Sequence, residues 1–125
     1  MEELRKAETE QFIERWDDFH DPVVRAVDFG LDQSTVTLAL HAQDRRRDWA
    51  WQAVRIAIEG LVEWSFTKPA PFDARVIFEA GITWDGERAL LSLDTKSTSP
   101  AEVFRRSPLY FGGATIRYEV SPLPQ

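Results

Sequence analysis

Side chains equipped for chemistry are few in this sequence. Histidine occurs at His20 and His41 alone, and cysteine is absent. Without thiols the chain has no disulfide, cysteine nucleophile, iron–sulfur cluster or thiolate zinc site. A metal site built from His20, Asp21 and His41 with one more carboxylate matches no known ligand spacing. No Gly-rich phosphate loop, G-x-S-x-G elbow or His-Glu-x-x-His motif is present. His20 reads as the cap of a helix end, where an imidazolium meets the negative pole of the helix dipole. His41 falls on the solvated parity of a strand. The acid pairs Glu59/Glu63 and Glu79/Glu119 have the composition for acid–base work, but carboxylates on an open sheet face ordinarily only hydrate it. The expectation is a chain with no catalytic residue, no metal ligand and no cofactor, and not an enzyme.

What the sequence does concentrate is negative charge and tryptophan. The net charge is −6 over 125 residues. Residues 1–22 carry eight acids and three bases, so nearly all of that excess sits in the first segment. Such a surface repels phosphate backbones and attracts a basic protein, which argues against nucleic acid and for a basic protein partner. The run Arg45-Arg46-Arg47 lies between Asp44 and Asp48 and reads as an exposed, self-neutralising loop. Of the five tryptophans, Trp16, Trp64 and Trp84 fit apolar stripes and are expected in the core. Trp49 and Trp51 fall on the solvated parity, where exposed aromatics anchor interfaces or cover a sheet edge. The candidate partner-binding residues are therefore Glu14, Asp17, Asp18 and Asp21, with Glu10 beside them, and Trp51 as an apolar anchor.

These residues need elements to position them. Residues 2–18 are rich in helix formers and lack Pro and Gly, and Phe12, Trp16 and Phe19 form one stripe at helical spacing, with Ile13 off it. Asp21-Pro22 ends that helix. The period then changes to two: Val23–Gly30 is a strand, Gly30–Gln33 a turn, and Ser34–Ala42 a half-buried strand with Val36, Leu38 and Leu40 inward. Trp51–Phe66 holds Val54, Ile56, Ile58, Val62, Trp64 and Phe66 on one parity, with Gly60 placed to divide it. Asp85-Gly86 predicts a two-residue hairpin turn that pairs Trp84 with Glu87, Ile82 with Ala89, Ala80 with Leu91 and Phe78 with Leu93. That register leaves the sheet one buried and one solvated face. Ser99-Pro-Ala-Glu102 predicts a capping box that opens a short helix through Arg106. Tyr110–Val120 is a last strand with a bend at Gly112-Gly113.

The fold class implied is α+β. An N-terminal helix packs on one face of a five- to six-stranded, mainly antiparallel sheet, with a short second helix before the last strand. One domain is expected over 1–125, made of an acidic helix and turn (1–22), the sheet (23–120) and a tail (121–125). No apolar run approaches the roughly 20 residues of a membrane span, and the charged start has no signal-peptide core. A cytoplasmic protein without a membrane partner follows.

The Phe19-His-Asp-Pro22 entry after an aromatic helix, Trp51-Gln-Ala-Val-Arg-Ile with Gly60-Leu-Val, and Ser107-Pro-Leu-Tyr before a final strand form an ordered set. In that order the chain resembles small bacterial α+β families with a Phe-His-Asp entry. Some of these are assigned as immunity proteins of polymorphic toxin systems. The resemblance implies a small sheet protein that binds and blocks a cognate toxin. Immunity families diverge at their binding surface, so it carries over no inhibitory residue. Two alternatives stay open: a self-associating housekeeping or regulatory protein, as a homodimer for instance, and a small-ligand binder or enzyme. A concave pocket lined by convergent polar groups would favour the last.

Overall fold

Hydrophobic alternation sets the long strands, and two opposed bends decide how they stack. The structure, a computed structural model, describes residues 1–20, 22–67 and 79–123. In chain order the elements are β1 (Glu2–Leu4), α1 (Thr9–Arg15), β2 (Val23–Gly30), β3 (Thr35–Asp44), β4 (Ala50–Glu59) and β5 (Glu63–Phe66). Then come β6 (Gly81–Asp85), β7 (Arg88–Ser92), α2 (Ala101–Arg105), β8 (Leu109–Gly113) and β9 (Thr115–Pro122). The class is α+β with antiparallel pairing throughout these strands. The single sheet expected from the sequence is instead two, of five strands (β1-β9-β4-β3-β2) and four (β5-β8-β7-β6).

The division follows from the bends. Gly60, at φ +63°, separates β4 from β5, and Ala114 separates β8 from β9 directly opposite. There the Ala114 N–H donates to the Glu59 carbonyl at 2.9 Å and the Val62 N–H to the Gly112 carbonyl at 3.0 Å. The β4–β9 ribbon thus turns a corner and continues as β5–β8 in the second sheet, a device by which strands switch sheets. Val36, Leu38, Val54, Ile56, Ile58 and Ile116 of the large sheet share one buried cluster with Ile82, Leu91, Leu93 and Phe111 of the small one.

Four further expectations are corrected. Residues 2–18 are not one helix. β1 pairs with β9, placing Leu4 against Ile116, and α1 has only seven residues, followed by a tight turn at Asp17–Phe19. The hairpin register is shifted by one turn position, with Asp85 opposite Arg88 and Ile82 opposite Leu91. Gly86 and Glu87 are then the loop, and positive φ at Gly86 alone suits a type II′ turn rather than I′. Facing parity survives that shift, so Ile82, Leu91 and Leu93 are core as expected; Phe78 lies outside the described residues. The small sheet has no fully solvated face, because α2 lies against β6 and β7 and both Leu90 and Phe104 are completely buried. Finally, the capping box does not form: Pro100 is the N-cap of α2 without a side-chain cap.

Trp64 and Phe66 also depart from expectation. They stand opposite Phe111 and Leu109 on β8, but β5 is an edge of its sheet. Trp64 is consequently 48% exposed and Phe66 39%. No helix among the described residues is long and apolar enough to cross a membrane.

Candidate functional site

α1 is fixed on three sides, which leaves its acidic side in water. Phe12, Trp16 and Phe19 are buried, with the Phe12 ring 4.7 Å from that of Tyr118 and 6.3 Å from that of Trp16. On a second side Thr9 and Ile13 are buried as well. The Thr9 hydroxyl accepts the Trp84 indole N–H at 3.0 Å. On a third, the Arg15 guanidinium donates two hydrogen bonds, at 3.0 and 2.9 Å, to the fully buried carboxylate of Asp44. Arg15 also lies over the Trp16 ring at 4.7 Å. Hydrogen bonding to Arg15 holds the Asp44 carboxyl below the usual range, against the effect of burial.

Glu10 and Glu14 project from the remaining side. The chain then enters a left-handed turn, with φ of 56°, 53° and 48° at Asp17, Asp18 and Phe19. This turn drives Phe19 into the core and leaves Asp17 and Asp18 facing the same way as Glu10 and Glu14. Those four acids and Glu79 line one open groove of about 760 Å³. Ile13, Ile82 and Trp84 form its apolar floor, and Lys96, Ser97 and Thr98 its far wall. Lys96 reaches across to Glu79 at 3.6 Å. Among the described residues the lining thus holds five carboxylates and one ammonium.

The far wall is anchored by a polar cluster. The Ser92 hydroxyl is completely buried and lies 2.8 Å from Asp94 Oδ1, 2.9 Å from Thr95 Oγ1 and 3.1 Å from Ser107 Oγ. Ser107 also bonds Asp94, and its oxygen accepts the Leu109 N–H at 3.0 Å. The cluster closes on itself and on backbone, so it pins both ends of the 92–107 connection. From within that connection Ser97 accepts the Ile82 N–H at 3.0 Å.

Of the candidate partner-binding residues, the groove gathers Glu14, Asp17 and Asp18 along with Glu10. Asp21 lies outside the described residues. Trp51 is not brought to the groove: it lies near the start of β4 opposite Gln43, 43% exposed, as is Trp49. Glu79, Lys96, Ile82 and Trp84 were not singled out as site residues from the sequence, because only the chain's return through β6 places them beside α1. Ile13, off the main stripe, was the one local sign that α1 has a second buried side.

The acid pairs considered for catalysis are each committed to a cation. Glu59 pairs with Arg117 at 2.6 Å and Glu119 with Arg55 at 2.9 Å. Glu63 holds Arg105 at 2.8 Å and Arg88 at 2.6 Å, and the hydrogen bond from Arg105 keeps its carboxyl below the usual range. His20 lines the groove beside Glu79, while His41 lies on β3 opposite Val23 and Ala53. Burial, with the charge of Arg25, lowers the His41 pKa. Among the described residues no three His, Asp or Glu side chains gather as a cation cage.

The β3–β4 hairpin tip is the molecule's basic counterpart. Arg45, Arg46, Arg47 and Asp48 are all exposed. The Arg45 guanidinium sits over Trp49 at 5.8 Å. Asp44 at its base is occupied by Arg15, by the Arg46 N–H at 3.0 Å and, more distantly, by Arg47 at 3.8 Å. Comparison of the chain with known protein families, characterised proteins and solved structures returns no match.

Proposed function

We propose that the chain is a non-enzymatic protein-binding module whose groove takes a basic segment of a partner protein. The observation that carries this reading is the groove itself: five carboxylates around an apolar floor. A lysine or arginine side chain suits such a surface, because its aliphatic stem lies on apolar atoms while its charged head stays among carboxylates. The pairing of Lys96 with Glu79 at the far wall supports the reading, since it sets an ammonium group against one of these carboxylates. The specific form of the proposal is an immunity protein that neutralises a basic toxin, in keeping with the resemblance carried by Phe19-His-Asp-Pro22.

Steering by exposed charge acts on association rate and weakens with salt. Stopped-flow binding of a fluorescein-labelled peptide of alternating Lys and Leu tests the groove. Asp17→Asn with Asp18→Asn, a change that tolerates positive φ, should slow association several-fold at low salt and leave the melting temperature within a few degrees of wild type. Equal rates for both proteins, or no effect of salt, would sink the reading. The immunity form is tested by co-expression with a toxin encoded beside this gene. Growth restored by the wild-type chain and not by the double variant supports it.

The concave shape favours a second reading, a binder of small polycations. Calorimetry with spermidine distinguishes the two. Binding as tight as that of the peptide would make the small ligand the better assignment.

A further inference from the structure

We propose that the groove also receives the arginine tip of a second copy of this chain, forming a two-fold dimer. The inference rests on the groove being a cation acceptor, as argued above, and adds a definite occupant. The molecule carries both halves of a charge-complementary contact. Among the described residues the groove has five carboxylates against Lys96 alone. The tip has three guanidinium groups against Asp48, since Asp44 is buried and held by Arg15. Among the described residues the Arg45 and Arg46 side chains have no carboxylate partner.

The two halves are neighbours. α1 separates them, with Glu10 and Glu14 on the groove side and Arg15 bonded to the base of the tip. Adjacent patches of opposite sign are what a two-fold contact needs. Turning one copy about an axis between the patches sets each tip against the other's groove, and the contact repeats itself. Trp49 and Trp51, exposed on and beside the tip, supply apolar surface next to the guanidinium groups, as interface anchors do. Ile13, Ile82 and Trp84 offer the matching floor. A dimer built this way covers the groove, so a basic partner must compete with the second copy for it.

Charge exchange tests the arrangement. Sedimentation equilibrium of the intact chain should show a dimer at low salt that weakens by at least about tenfold at high salt. Arg45→Glu with Arg46→Glu makes the tip acidic, and Glu10→Lys with Glu14→Lys removes the groove's excess of negative charge, leaving Asp17, Asp18 and Glu79 balanced by ammonium groups among the described residues. Each variant alone should be monomeric, because tip and groove repel in the first and no longer attract in the second. An equimolar mixture should form a heterodimer, since one contact then joins an unaltered tip to an unaltered groove and the other sets the acidic tip beside the two introduced ammonium groups. Recovery on mixing also shows that both variants are folded. Should either reversed variant fail to fold, Arg45→Gln with Arg46→Gln and Glu10→Gln with Glu14→Gln replace them, and each should weaken the dimer several-fold. A wild-type chain that is monomeric at low salt overturns the proposal. So does a dimer that persists in either variant, which would place association elsewhere, as at the exposed rings of Phe29, Trp64 and Phe66, which meet at 6.4 and 6.0 Å. A mixture of folded variants that stays monomeric overturns it too. If the wild type is monomeric but the Lys-Leu peptide binds and Glu10→Lys with Glu14→Lys abolishes that binding, self-association alone has failed. If the peptide does not bind either, both readings fall.

Discussion

Trp16 and Asp18 show how far single side chains go against their own preferences to build the groove's acidic wall. Trp16 is 1% exposed, yet among the described residues its indole N–H has no acceptor. A buried donor without a partner costs about 1–3 kcal/mol, which offsets part of what the ring's burial contributes. Trp16→Ala should therefore lower stability by about 3–5 kcal/mol, the usual cost of removing a large buried aromatic. Trp16→Phe, which discards the orphan N–H, should lower it by no more than about 1 kcal/mol. Urea denaturation of both variants checks the contrast, and equal losses would mean the indole N–H is satisfied. Asp18 sits at φ 53° in a run of three left-handed residues, a conformation costing roughly 1–2 kcal/mol for a residue with a Cβ. Asp18→Gly should raise stability by up to about 1 kcal/mol, and Asp18→Val should lower it by about as much, because a branched Cβ fits this region worst. Thermal melts of the pair test whether the turn is strained.

At the scale of elements, β3 and β4 were legible because each carries its own alternation of apolar and polar residues long enough to declare a face, while β2, whose register shifts between Val24 and Ala26, was legible only as the extended stretch between Pro22 and the turn at Gly30. Gly60 was legible as a bend, whereas Gly112-Gly113, read as the second bend, closes β8 and the break falls one residue later, at Ala114. What a one-dimensional pattern does not contain is that the two bends lie opposite each other, so the ribbon between them folds into two sheets. β1 was hidden for a related reason: Glu2-Glu3-Leu4 has no strand preference of its own, and only pairing with β9, more than a hundred residues away, makes it one. Of the site, the four described acids were legible as a cluster on one segment, and Asp17 and Asp18 were read as helix although they lie in a left-handed turn. The groove was not legible, because its second wall comes from β6 and the 92–107 connection. That wall depends on Gly81, where an added Cβ would lie 2.3 Å from the Thr95 carbonyl oxygen and 2.5 Å from the Ser97 nitrogen. These are backbone atoms tied down by the Ser92–Asp94–Ser107 cluster, so relief is not cheap. Gly81→Ala should destabilise by about 1–3 kcal/mol, the range for overpacking, and should weaken Lys-Leu peptide binding along with it. Gly86→Ala, at a site with open space around it but positive φ, should cost only about 1 kcal/mol and leave peptide binding intact. If Gly81→Ala keeps full binding, the 95–98 wall is not part of the recognition surface.

For the molecule as a whole, charge links stability to pH through a small number of residues. Asp44 is the clearest case, being completely buried between Arg15 and the Arg46 N–H. Its folded-state pKa is held below the ordinary 3.8. The folded chain therefore binds fewer protons than the unfolded chain at pH values between the two. Its contribution is complete above 3.8 and disappears as pH falls through the depressed folded value. Glu63, held by Arg105 and Arg88, has a shift of the same sign and adds to the same acid limb. His41 acts in a higher window. Its pKa is lowered from 6.5, so the neutral form is favoured on folding and a small stabilisation present above 6.5 fades as pH falls through the folded value. Stability should thus dip slightly below neutrality and fall steeply only in the acid limb, where loss of carboxylate charge also leaves the 15 basic side chains repelling one another. Asp44→Asn separates these effects. Near neutral pH it leaves Arg15 without its carboxylate and should cost about 3–5 kcal/mol, as breaking a buried pair does. Below the ordinary 3.8 the stabilisation that the carboxylate gives the wild type is itself being lost, so the gap between the two proteins should narrow. Urea unfolding of wild type and Asp44→Asn across the acid limb measures it. A constant difference from neutral to acid pH would show that Asp44 does not titrate with unfolding, and that the clamp between α1 and the hairpin tip is held by something other than its charge.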